Sequence, residues 1–332
     1  MRLEVLFLSG DDVAALELSI DDVVAAVELA LRAQGEGEVV LEPREHLVPD
    51  AALEGHFNLL RCYVGPLSVA GVKVVGDYVN NWTLGLPSEL ALLTLYDART
   101  GVPLAIVDAT EITERRTGAV TAIGARHLAR PGSKVLGHVG ARGTAFSNVA
   151  MLDHLFDFEE IRVTSKRRES RDAFGRQLEE ALGKRVRVLE TVREAVEGAD
   201  VVVEATRLLA PEPILRTEWI ARGALVIPYG TVSAVELSLT DVMDKVVVDD
   251  WGQAMRGPFG ALRRHVDSGR VTRESIHAEL ADVVVGRKPG RESDDETILF
   301  WHRGLATTDV AVGHLLVERA RERGLGTTLR YR

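Results

Sequence analysis

The sequence predicts an α/β protein with a parallel, helix-covered sheet in its middle and a mainly antiparallel α+β domain before it. The middle sheet is indicated first by the segment GHVGARGTA, residues 137–145, which joins a short apolar run at Ser133–Val139 to a helical run at Thr144–Phe158. Three strand-type runs then follow at helix-sized intervals: Ile161–Thr164, Arg185–Leu189 and Val201–Thr206. This alternation is typical of parallel strands covered on both faces.

The glycine segment has the order of a dinucleotide site: a strand, a tight glycine turn and a helix start whose free N–H groups can face a pyrophosphate. Its middle glycine is displaced by one residue from the usual GxGxxA pattern, so an α/β domain with an incidental glycine turn is the alternative. We expect a Rossmann domain over residues 116–304. Its expected cofactor contacts in the loop are Gly140, Ala141, Arg142, Gly143, Thr144 and Ala145.

The end of the second predicted Rossmann strand lacks the acid that usually binds a ribose hydroxyl. The chain there reads Ser165-Lys166-Arg167-Arg168. A hydroxyl with cations suits a 2′-phosphate, so Ser165, Lys166 and Arg167 are candidate contacts and NADP is favoured over NAD. The alternative is that these cations are solvated and that backbone groups hold the ribose.

Composition excludes several other functions. The 332 residues are 46% hydrophobic with a net charge of −10, and the cations are scattered apart from Lys166–Arg168, so no nucleic-acid surface is expected. A single cysteine, Cys62, excludes an internal disulfide and a cysteine-cluster metal site, and the nine histidines show no HExxH spacing; no metal is expected. No apolar run approaches membrane-spanning length, and the N-terminus turns acidic too early for a signal peptide, so a cytoplasmic protein without membrane attachment is expected.

The first domain should begin with a helix capped by Ser19, followed by a largely antiparallel sheet. Its predicted strands are Val39–Leu41, His56–Tyr63, Gly71–Tyr78 and Leu90–Tyr96. The final predicted helix, Leu305–Gly324, is too apolar to lie free and should return to this domain. Residues 1–115 and 305–332 are therefore expected to form it.

The first domain also carries cations in places where an apolar strand would not normally hold them. Arg44 follows Pro43 at the predicted end of a strand, Lys73 lies in the run Val69–Val75, and Arg116 lies in the helix between the domains. A cleft between the domains lined with these three would suit a small carboxylate. Solvated surface cations are the alternative.

The chain resembles the ornithine cyclodeaminase/mu-crystallin family over nearly its whole length. The segments that carry the resemblance are Pro43-Arg44, Gly71-Val72-Lys73, Gly85-Leu86-Pro87, Arg116-Thr117-Gly118-Ala119, the glycine loop, Ala278-Glu279-Leu280, Gly290-Arg291, Asp294-Asp295-Glu296, Phe300, Gly304-Leu305 and Asp309. The resemblance implies a homodimer whose first domain supplies both the subunit contact and the substrate site.

Roles for individual residues follow from the resemblance. It implies that Arg44, Lys73 and Arg116 bind the carboxylate of an amino or imino acid, with Lys73 close to the reacting carbon and catalytic. It also implies a substrate contact at Ser88. Thr117 and Thr206 complete the expected cofactor contacts. Beside two arginines in a buried site, Lys73 should have a lowered pKa and could carry a proton.

One departure from the family pattern concerns the loop after the last Rossmann strand. The resemblance implies that cyclodeaminases and many of their dehydrogenase relatives have an aspartate where this chain has Val232, and a valine cannot carry a proton. Glu236 could replace it only if the loop is rearranged. This loop and the segment Asp244–Gln253 resemble the branch of aminocarboxyethyl-glutamate dehydrogenases of 2,3-diaminopropionate biosynthesis.

The resemblance thus implies an NAD(P)-dependent oxidoreductase that acts on a C–N bond of an amino or imino acid by hydride transfer. Two alternatives stay open on the sequence. One is a redox-neutral amino-acid cyclodeaminase that releases ammonia. The other is a non-catalytic protein of the mu-crystallin kind that binds NADP and a small ligand. Partners other than a small amino, imino or oxo acid and a second subunit are not expected.

Overall fold

A computed structural model describes residues 3–208 and 210–332 of the chain. The chain divides into two compact units. The first unit joins Met1–Arg116 with Gly304–Arg332, and the second is Thr117–Arg303. Among the described residues, no helix combines the length and the apolar character that crossing a membrane requires.

The described part of the chain forms the following strands and helices. The strands are β1 Glu4–Leu8, β2 Val39–Leu47, β3 Gly55–Val64, β4 Val69–Tyr78, β5 Glu89–Asp97, β6 Pro103–Asp108, β7 Val135–Val139, β8 Glu160–Thr164, β9 Val186–Val188, β10 Val201–Glu204, β11 Leu225–Pro228, β12 Lys245–Val248, β13 Ala278–Glu279, β14 Ile298–Trp301 and β15 Thr327–Arg330. The helices are α1 Gly10–Ala15, α2 Ile20–Gly35, α3 Thr110–Leu128, α4 Ala145–Phe156, α5 Arg168–Leu182, α6 Val192–Val196, α7 Trp251–Ala254, α8 Arg263–Asp267, α9 Leu280–Val284 and α10 Ala306–Arg323.

The first unit is built on one sheet with the order β15-β1-β6-β5-β4-β3-β2. Consecutive strands from β2 to β6 pair antiparallel, whereas β1 pairs parallel with β6. Helix α10 lies on β3, β4 and β5, and it packs so closely that a side chain at Gly71 would collide with Val310. The C-terminal helix therefore completes the core of this unit.

The structure corrects the expected position of Arg44. The strand does not end there, because β2 continues to Leu47 with an irregular register between Glu42 and Glu45. Pro43 lacks a backbone N–H and cannot join a regular ladder, so a bulge at this point is the expected compromise. Pro43 and Arg44 thus lie opposite a single residue of β3, Leu60.

The second unit is a parallel sheet with the order β13-β12-β14-β11-β10-β7-β8-β9. The chain runs outward from β7 to β8 and β9 and then returns to β10 on the other side of β7. This reversal is the topological switch point at which open α/β sheets bind their ligands. The predicted fold class is confirmed.

Candidate active site and dinucleotide site

Lys73 lies in the core of the first unit. On β4 it pairs with Leu60 of β3 and Leu93 of β5, and it is 1% exposed. Its ammonium donates hydrogen bonds to Oγ1 of Thr113 at 3.0 Å and to Oδ1 of Asp309 at 2.5 Å. Because a buried lysine requires a partner of opposite charge, Asp309 is what allows Lys73 to remain inside.

Asp309 joins Lys73 to Arg116. It lies in the first turn of α10, is fully buried, and its Oδ1 also accepts a hydrogen bond from Nε of Arg116 at 2.8 Å. Its other oxygen, Oδ2, is buried and has no hydrogen-bond partner within residues 3–208 and 210–332. Two cations from different elements, β4 and α3, thus meet at a single carboxylate oxygen.

The turn before α10 brings in the third cation. Arg44 donates a hydrogen bond to the carbonyl oxygen of Gly304 at 2.8 Å. Gly304 has a φ of +85°, and a side chain at this position would collide with the guanidinium of Arg116. Arg44 and Arg116 therefore both contact the same glycine, which must lack a side chain. We call Arg44, Lys73, Arg116 and Asp309 the cation cluster.

The pKa of Lys73 is lowered from 10.5 to about 8. Burial is the largest cause; Asp309 opposes it, and the charges of Arg116 and Arg44 add to it. Burial also acts to raise the pKa of Asp309, but the charges of Arg116 and Lys73 outweigh it and hold that pKa below its usual value. Lys73 is thus a cation that can release a proton close to neutral pH.

The cation cluster has a net positive charge, which a bound anion would partly neutralise. Three cations and one carboxylate give a net charge of +2 when Lys73 is protonated, as 3 − 1 = 2. A small carboxylate would reduce this excess and could accept hydrogen bonds in the paired geometry that a guanidinium offers. Sequence reasoning identified the three cations but assigned no role to Asp309 or Thr113.

Ser88 does not lie at the cluster. It comes just before β5, where its carbonyl oxygen accepts a hydrogen bond from the backbone of Tyr78 at the far end of β4. Lys73 is five residues back along β4, or roughly 17 Å at the usual strand rise. Within the first unit, the structure therefore separates Ser88 from the other three residues proposed to bind substrate.

The glycine loop of the second unit fits a dinucleotide pyrophosphate. Gly140 has a φ of +119° and Gly143 a φ of +56°, values that favour glycine. Helix α4 begins at Ala145 without a side-chain cap, because the hydroxyl of Thr144 is hydrogen-bonded to that of Tyr229 at 2.9 Å. The N–H of Ala145 donates to the carbonyl oxygen of Arg142 at 3.3 Å, and no side-chain cap occupies the N–H groups that follow it, which keep their capacity for an anion.

The segment after β8 lies beside this loop. Lys166 and Arg167 are exposed, and the hydroxyl of Ser165 donates a hydrogen bond to the carbonyl oxygen of Arg167 at 3.3 Å. A cavity of about 350 Å³ is lined by Ala141 and Arg142 of the loop and by the first turns of α5. The predicted ribose-binding residues Ser165, Lys166 and Arg167 precede α5 and do not themselves line this cavity.

The two predicted threonines lie at different places in the second unit. Thr117 is buried on α3, where its carbonyl oxygen accepts a hydrogen bond from the hydroxyl of Thr121 at 3.1 Å. Thr206 follows β10, and both its N–H at 2.7 Å and its hydroxyl at 2.5 Å donate to Oε1 of Glu204. The Thr206 hydroxyl therefore already has an acceptor. Sequence reasoning did not single out Glu204.

Glu204 is fully buried, and burial raises its pKa from 4.5 to about 7 against the hydrogen bonds that Thr206 donates. The folded protein binds the proton of Glu204 more tightly than the unfolded chain does, so the protonated carboxyl stabilises the folded state. This stabilisation decreases as pH rises. The contribution is intact below about pH 4.5 and declines as pH approaches 7.

We expect the substitution Glu204→Gln to make stability less dependent on pH. The difference in free energy of unfolding between Glu204→Gln and the wild type should shift in favour of the variant by about 3 kcal/mol from pH 4 to pH 8. Urea unfolding at several pH values measures this difference. If the difference in free energy of unfolding between the two proteins is the same at pH 4 as at pH 8, Glu204 does not carry the expected proton.

Comparison with known proteins assigns the chain to a family. The model of the "Ornithine cyclodeaminase/mu-crystallin family" matches residues 4–324. The chain belongs to this family. Membership confirms the resemblance drawn from the sequence.

Relatives within the ornithine cyclodeaminase/mu-crystallin family match over the full chain. Alanine dehydrogenase of Archaeoglobus fulgidus is 31% identical, with 99% of each chain covered. The structure of Thermococcus litoralis Delta(1)-pyrroline-2-carboxylate reductase in complex with NADH and L-proline superposes with a TM-score of 0.91 at 30% identity and covers 97% of this chain and 99% of its own. N-((2S)-2-amino-2-carboxyethyl)-L-glutamate dehydrogenase of Staphylococcus aureus is 28% identical over 99% of each chain, so the predicted branch is among the relatives.

The loop after β11 shows why Glu236 does not replace the aspartate that the family resemblance implies at Val232. The carboxylate of Glu236 accepts a hydrogen bond from the backbone of Thr217 at 2.9 Å and lies 3.6 Å from Arg216. These contacts assign it a structural role at a neighbouring turn. The second unit therefore has a valine at the expected position and an acid, Glu204, packed against Gly230 at the start of the same loop.

Proposed function

We propose that the protein is an NAD(P)-dependent oxidoreductase that acts on the C–N bond of an α-amino or α-imino acid. The single observation that carries this proposal is the cation cluster, in which the buried side chains of Lys73 and Arg116 share an oxygen of Asp309. A solvated surface cation needs no such partner. Buried cations with a net positive charge are suited to bind an anion, and an amino or imino acid provides a carboxylate of the right size.

In this proposal, Arg44 and Arg116 hold the substrate carboxylate and Lys73 contacts both the carboxylate and the nitrogen next to the reacting carbon. The reduced nicotinamide, when bound to the glycine-loop unit, supplies the hydride. Lys73 supplies the proton: imine, hydride and proton together give the amine, and oxidation runs in reverse. A pKa of about 8 suits Lys73 to exchange this proton near neutral pH.

The relatives support this class of substrate. The names alanine dehydrogenase and Delta(1)-pyrroline-2-carboxylate reductase describe reactions at a carbon that bears both nitrogen and a carboxyl group, and the name ketimine reductase describes the reduction of a C=N bond. This chemistry needs a carboxylate site, a dinucleotide site and a proton carrier. The cation cluster, the glycine loop and Lys73 provide candidates for the three.

A cofactor assay with a small substrate panel tests the proposal. NADH or NADPH oxidation is followed with Δ1-pyrroline-2-carboxylate, with pyruvate plus ammonia and with 2-oxo acids plus primary amines. Turnover that requires the substrate carboxylate supports the proposal. Ammonia release from an amino acid without net change in reduced cofactor indicates the redox-neutral cyclodeaminase, and ligand binding without turnover indicates a mu-crystallin-like binding protein.

The cofactor is NAD or NADP, and we propose that Lys166 and Arg167 favour NADP. Both are exposed between β8 and α5, and the first turns of α5 line the cavity beside the glycine loop, so these cations are candidates to pair with a 2′-phosphate. The substitutions Lys166→Ala and Arg167→Ala together should weaken NADPH binding by about tenfold or more and leave NADH binding nearly unchanged. Fluorescence titration measures both; equal losses for the two cofactors would refute the role.

We also propose that the protein works as a homodimer through the face of the first sheet opposite α10. Val72, Val74, Leu90 and Leu92 all point to that face and are at least 36% exposed. Exposed apolar patches of this kind mark protein interfaces. A structural relative at 31% identity with a TM-score of 0.91 is described as an archaeal alanine dehydrogenase dimer with bound NAD.

The substitution Leu92→Glu should convert the dimer into a monomer, because a charge would be buried at the centre of this face. Light scattering after size-exclusion chromatography measures the mass. Leu329→Glu is the matched control, since Leu329 is exposed to a similar extent on β15. A Leu92→Glu protein that keeps the mass of a dimer would place the interface elsewhere.

A further inference from the structure

We propose that the carboxyl group of Glu204 is coupled to the dinucleotide site, so that the dinucleotide binds to the form of the protein in which Glu204 carries a proton. This inference rests on the proposed function, which provides the dinucleotide. It assigns a role to a buried acid that the reaction itself does not use.

The backbone of Glu204 connects the strands on both sides of the switch point. Residue 204 ends β10, which pairs with β7 on one side and β11 on the other. Its carbonyl oxygen accepts hydrogen bonds from the N–H of Tyr229 at 2.9 Å and of Gly230 at 3.2 Å. The N–H of Ala205 donates to the carbonyl oxygen of Val139, the last residue of β7, at 2.8 Å. Glu204 is therefore anchored where the glycine loop and the loop after β11 begin.

The side chain of Glu204 is only half satisfied. Oε1 accepts the two hydrogen bonds from Thr206, whereas Oε2 is buried and has no hydrogen-bond partner in the part of the chain that the structure describes. A side chain at Gly230 would lie 2.7 Å from Oε2, so the carboxyl packs directly against that glycine. Glutamate is almost never fully buried unless it is paired, and such an orphan group requires an explanation.

The glycine loop begins beside Glu204, because Glu204 pairs with Val139, the residue just before Gly140. A side chain at Gly140 would come within 2.7 Å of the carbonyl oxygen of Ala205, the residue after Glu204. A dinucleotide pyrophosphate at this loop brings two negative charges to a region of low dielectric. An ionised Glu204 would repel them, whereas a protonated one would not. Binding should therefore shift Glu204 toward its protonated form.

The other titratable groups around Glu204 do not change this conclusion. On β7, His138 pairs with Val203, and burial lowers its pKa to about 4, so it is neutral above pH 5. Tyr229 follows β11 and has its hydroxyl on Thr144. Arg207 follows β10, and burial lowers its pKa below the usual 12.5. No ion pair to Glu204 is found among residues 3–208 and 210–332, and the pKa of about 7 reflects burial opposed by hydrogen bonds.

The sign of the effect follows from linkage. Below about pH 6, Glu204 is protonated in both the free and the bound protein, so affinity should not change with pH. Above about pH 7, the free protein must take up a proton to bind, so the Kd should rise by up to tenfold for each pH unit. The substitution Glu204→Gln imitates the protonated acid and should abolish this dependence.

The experiment is a fluorescence titration with NADH from pH 5.5 to pH 8.5. The wild type should lose at least tenfold in affinity across this range, while Glu204→Gln should change by less than twofold. Glu197→Gln is the matched control, because it removes an exposed carboxylate from the same unit, and it should behave as the wild type does. Equal pH dependence in the wild type and Glu204→Gln, or none in the wild type, would overturn the inference.

Calorimetry on the wild type tests the same coupling without any substitution. At pH 7.5, NADH binding in buffers of different ionisation enthalpy should show uptake of more than half a proton for each NADH bound. Zero uptake would overturn the inference even if Glu204→Gln did not fold. A protein that binds neither NADH nor NADPH at any pH would instead refute the proposed function, so the two failures are distinguishable.

Discussion

The substitution Lys73→Met is expected to lower kcat/KM about a thousandfold in the reaction that the protein catalyses. Methionine fills most of the volume of the lysine but can neither bind a carboxylate nor transfer a proton, and proton transfer by a positioned group contributes roughly 10²-fold to 10⁴-fold. NADH affinity should change little, because the glycine loop belongs to the second unit. Steady-state kinetics and fluorescence titration measure the two quantities.

The control for this substitution is Lys245→Met. Lys245 is also a buried lysine, 8% exposed, but it pairs with Glu292 and Glu296 in the second unit. The Lys245→Met protein should be less stable than the wild type but should keep its turnover per folded molecule. In the wild type, turnover in the direction of imine reduction should decline above about pH 8, where Lys73 loses its proton. A Lys73→Met protein with more than a tenth of wild-type kcat/KM would contradict the assigned role.

The substitution Asp309→Asn is expected to have the largest effect on stability. It leaves Lys73 and Arg116 buried without a counter-charge, and breaking one side of a buried ion pair costs about 3–5 kcal/mol. The surviving Lys73 should also lose its proton more readily, because the charge of Asp309 is the main influence that raises its pKa. Urea unfolding measures the loss of stability.

A double substitution separates the ion pair from a general packing defect. If Asp309 acts by compensating Lys73, then Lys73→Met combined with Asp309→Asn should be more stable than Asp309→Asn alone, since one buried charge is removed. If the two losses of stability simply add, the two residues do not interact and the description of the cluster is wrong.

The sequence predicted the dinucleotide segment well because its signals are local. The glycine turn, the preceding apolar strand and the following helix are adjacent in the chain, and the structure gives Gly140 and Gly143 positive φ values. The middle glycine of the usual pattern is displaced, yet the backbone still turns at both glycines. Local chemistry was therefore sufficient to predict local geometry.

The cation cluster could be predicted only in part. The run Val69–Val75 is apolar on both faces, so alternation could not show that Lys73 points toward α10 while Val72 and Val74 point away. Asp309 was inconspicuous for a different reason. An acidic residue in the first turn of a helix is ordinary, because it favours the helix dipole. Its partners lie 236 and 193 residues away in the chain, and only the fold reveals them.

Elements at the edge of the first sheet were missed because they are short. β1 has five residues and β15 four, and they pair with each other from opposite ends of the chain. Neither forms a long alternating pattern. Ser88 was proposed from the family resemblance alone, and the register of β4 and β5 places it beyond one end of these strands, whereas Lys73 lies in the middle of β4.

The most direct test of the central claim is a crystal structure of the protein with NADPH and an unreactive planar carboxylate such as pyrrole-2-carboxylate. We expect the carboxylate to lie within about 3 Å of Lys73 Nζ and of a guanidinium nitrogen of Arg116 or Arg44. A carboxylate bound away from an intact cation cluster would contradict the account.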